Sequence, residues 1–165
     1  MNMDHFPLGR PSVDILEGRN KYPFIVNRDF VYLWPGYGHW GPMDVCVPAG
    51  YATDLLSIPK LLWPVLSPFG PGVFGSLPHD ILYSSEFSLP DQSKKDARAM
   101  ADQILYDAAI DSGCSKFRAG ILFRGVRVGG GFTWDEHNPA DVSDDLQSLC
   151  EATERWQREK VLLDA

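Results

Sequence analysis

The sequence predicts an α+β fold in which short antiparallel strands come first and helices follow. Three observations carry that expectation. Between Val13 and about Val47 the chain is dense in β-branched and aromatic residues broken by Gly and Pro. From Val73 onward, apolar residues recur at helical spacing, and strands do not alternate with the helices as βαβ units would require. At 165 residues, with 44% hydrophobic and 22% charged content, the chain is long enough for one well-formed core and too short for two full ones.

The strand region divides into VDILEG, YPFIV, DFVYLW and MDVCV, three or four short strands. PGYGHWGP, between Trp34 and Met43, has the Pro and Gly density of a loop, so DFVYLW and MDVCV pair across it as an antiparallel hairpin. His39 and Trp40 fall at its tip, where an exposed aromatic is either a contact residue or a lid on the core.

In TDLLSIPKLLWPVL, Ser57 suits an N-cap and Pro59 the first turn, which predicts a short helix to about Leu66 with Asp54 just upstream of its positive end. SPFGPG is a turn. VFGSLPHDILYS follows as a buried helix that Pro78 starts or kinks. There His79 and Tyr83 share a face, one turn apart, and Asp80 points about 100° away from His79.

SKKDARAMADQILYDAAIDSG is the clearest helix: Ser93 and Asp96 resemble a capping box, Ala97, Met100, Ala101, Ile104, Leu105 and Ala108 form a stripe, and Gly113 suits C′. A further helix from about Ser115 to Val128 carries Phe117, Ile121 and Val128 on one side and is expected to end at the glycines 129–131. After the loop-like EHNPADVS, the residues Leu146, Leu149, Thr153, Trp156, Lys160 and Leu163 form a seam along a last helix capped by Ser143. The expected organisation is a single α+β domain over 1–135 and an acidic helical extension over 136–165. That extension holds eight acids and three bases, a different surface from the body.

A formal charge of −7 argues against non-specific binding to phosphate backbones, so nucleic acid is not an expected partner. Cys46, Cys114 and Cys150 are widely spaced with no CxxC pair, which predicts reduced thiols and neither a disulfide framework nor a zinc ribbon. MNMDHFPLGRPSVD lacks the basic start and apolar run of a signal peptide, and no stretch approaches the ~20 apolar residues of a membrane span.

The run VPAGYATDLLSIPKLLW, followed by HDILY, ADQIL and GVRVGGGFTW, resembles the bacteriophage and prophage proteins grouped as domain of unknown function 1353. Their pattern joins VPaGf-TD-aSIP, HD-LY, an AD-containing helix and a terminal G-W, and the resemblance covers roughly residues 13–134. Thr53, Asp54, Ser57 and Pro59 match the first motif; His79, Asp80, Leu82 and Tyr83 match the second. Asp102 matches the helix acid and Trp134 the closing aromatic, while Tyr51, Leu55, Leu56 and a longer SLPDQSKKDARAM approach depart from the pattern. The resemblance implies a phage or prophage origin, hence host cytoplasm or virion as location, and brings no established activity.

Asp54, Ser57, His79 and Asp80 are the candidate catalytic residues. One chemistry gathers a divalent metal ion on His79, with Asp54, Asp80 and Asp102 competing for the oxygen positions and a bound water as nucleophile. The other is metal-free: Asp54 orients His79 as a general base on Ser57 or water. Neither has diagnostic spacing, because HExxH and GxSxG are both absent, and no upstream His lies in a predicted helix as HD-type phosphohydrolases would need. The architectural alternative makes Asp54 a helix cap, His79 a satisfied core histidine, Asp80 an acceptor for backbone, Arg118 or Arg124, and Asp102 the solvated edge of its helix.

Two function classes follow. The first is a virion-associated, assembly or host-interaction component whose polar cluster is architectural. The second is a metal- or His-Asp-dependent hydrolase directed at the cell envelope or a host metabolite. Expected partners are other phage structural proteins, a host protein or a second copy of the chain, engaged through residues 141–163.

Overall fold

The structure is a computed structural model and describes residues 3–17, 22–55, 72–134 and 139–163. Among these, five strands, β1 (Val13–Ile15), β2 (Phe24–Val26), β3 (Phe30–Trp34), β4 (Met43–Val47) and β5 (Ala52–Thr53), precede four helices, α1 (Val73–Ser84), α2 (Lys94–Asp111), α3 (Lys116–Trp134) and α4 (Pro139–Leu163). The order is the α+β arrangement the sequence predicts. The helix expected to begin at Ser57 lies outside the described residues.

β3 and β4 form the expected hairpin, in register from Phe30 opposite Val47 to Trp34 opposite Met43. A second antiparallel sheet has the order β1-β2-β5; β5 is too short to leave a period-2 signature. The hairpin is covered on both faces, which explains why FVYLW reads as nearly continuous apolar sequence. Phe30, Tyr32 and Trp34 enter the main core with Leu77, Ile81, Met100 and Ile104 of α1 and α2. Val31 and Cys46, on the other face, pack against Ala152 and Trp156 of α4. Burial pushes the Cys46 thiol up to about 12, so it behaves as a small apolar core residue. Trp40 is the lid of the two options at the hairpin tip: it is partly buried against the core and its Nε1 donates to Asp96 at 3.1 Å.

α1 and α2 approach closely at Gly75, where an added Cβ would lie 2.7 Å from the Ala109 nitrogen. Pro78 sits inside α1 and does not start it. α2 begins at Ser93, whose hydroxyl accepts from the Asp96 N–H at 3.2 Å, and ends in a Schellman motif. There Gly113, at φ 101, donates to Ile110 and Cys114 donates to Ala109.

Two helix boundaries differ from expectation. α3 runs through the glycines 129–131 to Trp134, because glycine disfavours an established helix by only about 1 kcal/mol per residue and does not block it. Its packed face is Ala119 and Leu122 against Leu105 and Ala109, so Phe117 and Val128 on the expected apolar side face solvent. α4 starts at Pro139, a favourable first-turn residue, and not behind a Ser143 cap.

The middle of the α4 seam, from Leu149 to Lys160, faces the chain's own body, while Leu146 is exposed. Leu149 and Trp156 are buried, the Trp156 Nε1 donates to Asp44 at 2.8 Å, and the Lys160 ammonium donates to the same carboxylate at 2.9 Å. Arg155 adds a two-pronged contact to Asp29, at 3.0 and 3.1 Å.

Candidate functional site

Four elements contribute side chains to one polar network. α1 supplies His79, Asp80 and Tyr83, α2 supplies Asp102, α3 supplies Arg127 and β5 supplies Thr53. Helical spacing stacks His79 and Tyr83, with ring centroids 4.1 Å apart, so both polar edges aim at α2. They meet Asp102, which is 0% exposed. The Tyr83 hydroxyl donates to its Oδ1 at 2.5 Å, the His79 Nε2 lies 3.2 Å from the same oxygen, and the Arg127 Nη1 donates to Oδ2 at 2.8 Å.

The other His79 nitrogen, Nδ1, lies 3.3 Å from Asp80 Oδ1, and Asp80 Oδ2 accepts from the Thr53 hydroxyl at 2.7 Å. That hydroxyl in turn accepts the Leu55 N–H at 2.8 Å, fixing Leu55 at φ 57 in the left-handed region. A non-glycine residue there is strained by about 1–3 kcal/mol, so the Thr53 bond holds a tight turn at the end of β5.

The network is charge-matched. Two carboxylates face an imidazole and a guanidinium, and a carboxylate at each ring nitrogen favours the protonated form of the imidazole. Burial pushes the His79 pKa down, but hydrogen bonds and charge attraction from Asp102 and Asp80 outweigh it and leave it raised. For Asp102, burial pushes upward and the bonds from His79, Tyr83 and Arg127 outweigh it, leaving its carboxyl below the ordinary range. Asp80 is pushed up to about 6, by burial first and by the nearby charge of Asp54, against the opposing bonds from His79 and Thr53.

These shifts set a pH dependence. Asp80 and His79 both hold protons more tightly in the folded state, so their contribution is complete below the unfolded values and is lost as pH rises through the folded ones. For Asp80, a rise from 3.8 to about 6 corresponds to about 3 kcal/mol lost between those values. Asp102 acts oppositely, weakening the fold only as pH falls below 3.8. Denaturant unfolding across this range is expected to show stability falling from about pH 4 towards neutrality, with Asp80→Asn flattening the slope; an unchanged slope in that variant would assign the titration elsewhere.

Of the candidate catalytic residues, His79 and Asp80 are in direct contact, and half-buried Asp54 acts on Asp80 through its charge. Ser57 lies outside the described residues, as does the Trp134 side chain. Asp102, expected as a solvated helix edge in the architectural alternative, is instead the centre of the network. The arginine involved is Arg127, paired with Asp102, and not Arg118 or Arg124 paired with Asp80. Arg127 lies within the GVRVGGGFTW segment, but nothing in that segment marks it from Arg118 or Arg124 as the partner of an acid. Among the described residues, no group of three or more His, Cys, Asp and Glu side chains is arranged to hold a metal ion. No described helix is long and apolar enough to cross a membrane.

Comparison with curated proteins and with solved structures gives no match. A family model does match, over residues 34–126, a span that contains Thr53, His79, Asp80, Tyr83 and Asp102. With more than half of its length covered, the chain belongs to the family described as protein of unknown function, DUF1353.

Proposed function

We propose that the chain is a non-catalytic phage or prophage component, working in the virion, in its assembly or against a host protein, and that the Thr53–Asp80–His79–Asp102 network braces its fold. The observation that supports this most is the occupancy of His79: both ring nitrogens face carboxylates, and its partner Asp102 is fully buried and also bonded by Tyr83 and Arg127. A general base or a metal ligand needs one nitrogen turned to its proton or ion, whereas a brace needs every polar group paired. The phage setting follows from the TD-x-x-SIP and HD-x-LY resemblance. Host cytoplasm or the virion is then its place of action, and phage structural proteins, a host protein or a second copy are its partners.

A hydrolase is the second reading, favoured by one observation. Asp80 is pushed up to about 6 with Asp54 beside it, a carboxyl able to exchange a proton near neutrality. In that reading His79, Asp80, Asp54 and Asp102 hold a divalent metal or Asp54 and His79 activate Ser57. Elemental analysis of the purified protein and calorimetric titration with Zn²⁺ and Mn²⁺ separate the brace from the metal-dependent hydrolase, and thermal unfolding of His79→Ala separates it from the metal-free one. The brace is expected to give no stoichiometric metal; one ion per chain, lost in His79→Ala, would overturn it in favour of the hydrolase.

A further inference from the structure

α3 is chemically unlike the rest of the molecule. It carries four bases and no acid in a chain of net charge −7. Arg127 is engaged by Asp102; among the described residues Lys116, Arg118 and Arg124 form no ion pair. Lys116 and Arg118 stand in the first turn, where the helix dipole disfavours cations. Arg124 shares one outward side with Phe117, 73% exposed, and Val128, 82% exposed, and Lys116 and Arg118 flank it. Gly120, Gly125 and Gly129 lower helix stability, yet among the described residues an added Cβ at any of them would meet nothing within 4 Å, so the packing of those residues does not require them. Cations, exposed apolar side chains and positions open to close backbone approach together suit an acidic, apolar helix from outside.

The outward face of α4 has that chemistry. The helix holds six acids and three bases, and two of the bases are turned inward, Arg155 to Asp29 and Lys160 to Asp44. The third, Arg158, reaches Glu154 only at 3.8 Å. What remains outward is an acidic surface, including exposed Glu151 and Glu154, that ends in Val161 and Leu162, 70% and 77% exposed. Towards its end, Glu154, Gln157, Arg158, Val161 and Leu162 border a shallow, open and mainly apolar depression. Pairing α3 with α3 would oppose like charges. An anionic lipid surface would neutralise the cations but make no use of the glycines.

We propose that α3 of one copy docks on the outward face of α4 of a second copy. The contact is heterologous, so repetition produces a ring or a filament according to the rotation it imposes. It lies outside the His79 network and does not depend on whether that network braces or catalyses.

Sedimentation of the full chain over a concentration series, at low and high salt, tests this with two variants of exposed residues whose folding is checked by circular dichroism. Phe117→Ser/Val128→Ser spoils the α3 face and Glu151→Lys/Glu154→Lys the α4 face. The parent is expected to associate beyond a dimer, less so at high salt, and each variant to weaken association by about tenfold or more. Mixing the two variants restores one good interface and is expected to give a dimer that goes no further. A monomeric parent would overturn the proposal, even if it bound vesicles containing anionic lipid. So would variants that associate as the parent does, or a mixture that stays monomeric.

Discussion

Replacing Asp102 with Ala is expected to destabilise the protein by about 3–5 kcal/mol, a large fraction of the total stability of a domain this size. The loss exceeds that of one hydrogen bond. Asp102 is the common acceptor for Tyr83, His79 and Arg127, and its removal takes a counter-charge from the partly exposed Arg127 and leaves the buried His79 with Asp80 alone. Asp102→Asn keeps the shape and part of the bonding but not the charge, so its loss is expected to be smaller. Urea unfolding followed by tryptophan fluorescence measures both. Equal and small effects would mean that water satisfies the network.

Trp156→Ala is expected to cost a similar amount, about 3–5 kcal/mol. The indole is 4% exposed between Val31, Cys46 and Ala152, so truncation opens a cavity under the β3–β4 hairpin. It also removes the donor to Asp44, which Lys160 still reaches. Trp156→Phe keeps most of the packing and is expected to lose about 1 kcal/mol for the hydrogen bond alone. Thermal unfolding of the two variants shows whether the 136–165 segment behaves as an extension or as part of the folded body. A Trp156→Ala protein as stable as its parent would make it an extension.

Much of this arrangement is legible in the sequence because local chemistry and tertiary structure agree. DFVYLW and MDVCV carry strand-forming residues on either side of a Gly-Pro loop, and Ser93 and Gly113 bound α2 as caps, so both elements fall where they are expected. Spacing in HDILY places His79 and Tyr83 together, and the two motif segments meet through Thr53 and Asp80. What spacing does not carry is depth. An acid on α2 reads the same whether it faces water or a neighbouring helix, and only the packing of α1 and α3 makes Asp102 fully buried. Arg127 is hidden for the same reason: it is one of three arginines on α3, selected by the rotation of that helix against α2. Propensity also misplaces the end of α3, since three glycines read as a stop and tertiary structure overrides a cost of about 1 kcal/mol each.

The claim that the network is a brace is tested most directly by the thermal unfolding of His79→Ala against the parent near pH 6. Removing a buried side chain that bridges Asp80 and Asp102 takes one partner from each acid and leaves Asp80 with Thr53 and Asp102 with Tyr83 and Arg127, so a loss of about 1–3 kcal/mol is expected, with unfolding still cooperative. Catalytic sites are held at a cost in stability, so a His79→Ala protein that melts at or above the parent temperature would contradict the brace and point to chemistry at His79.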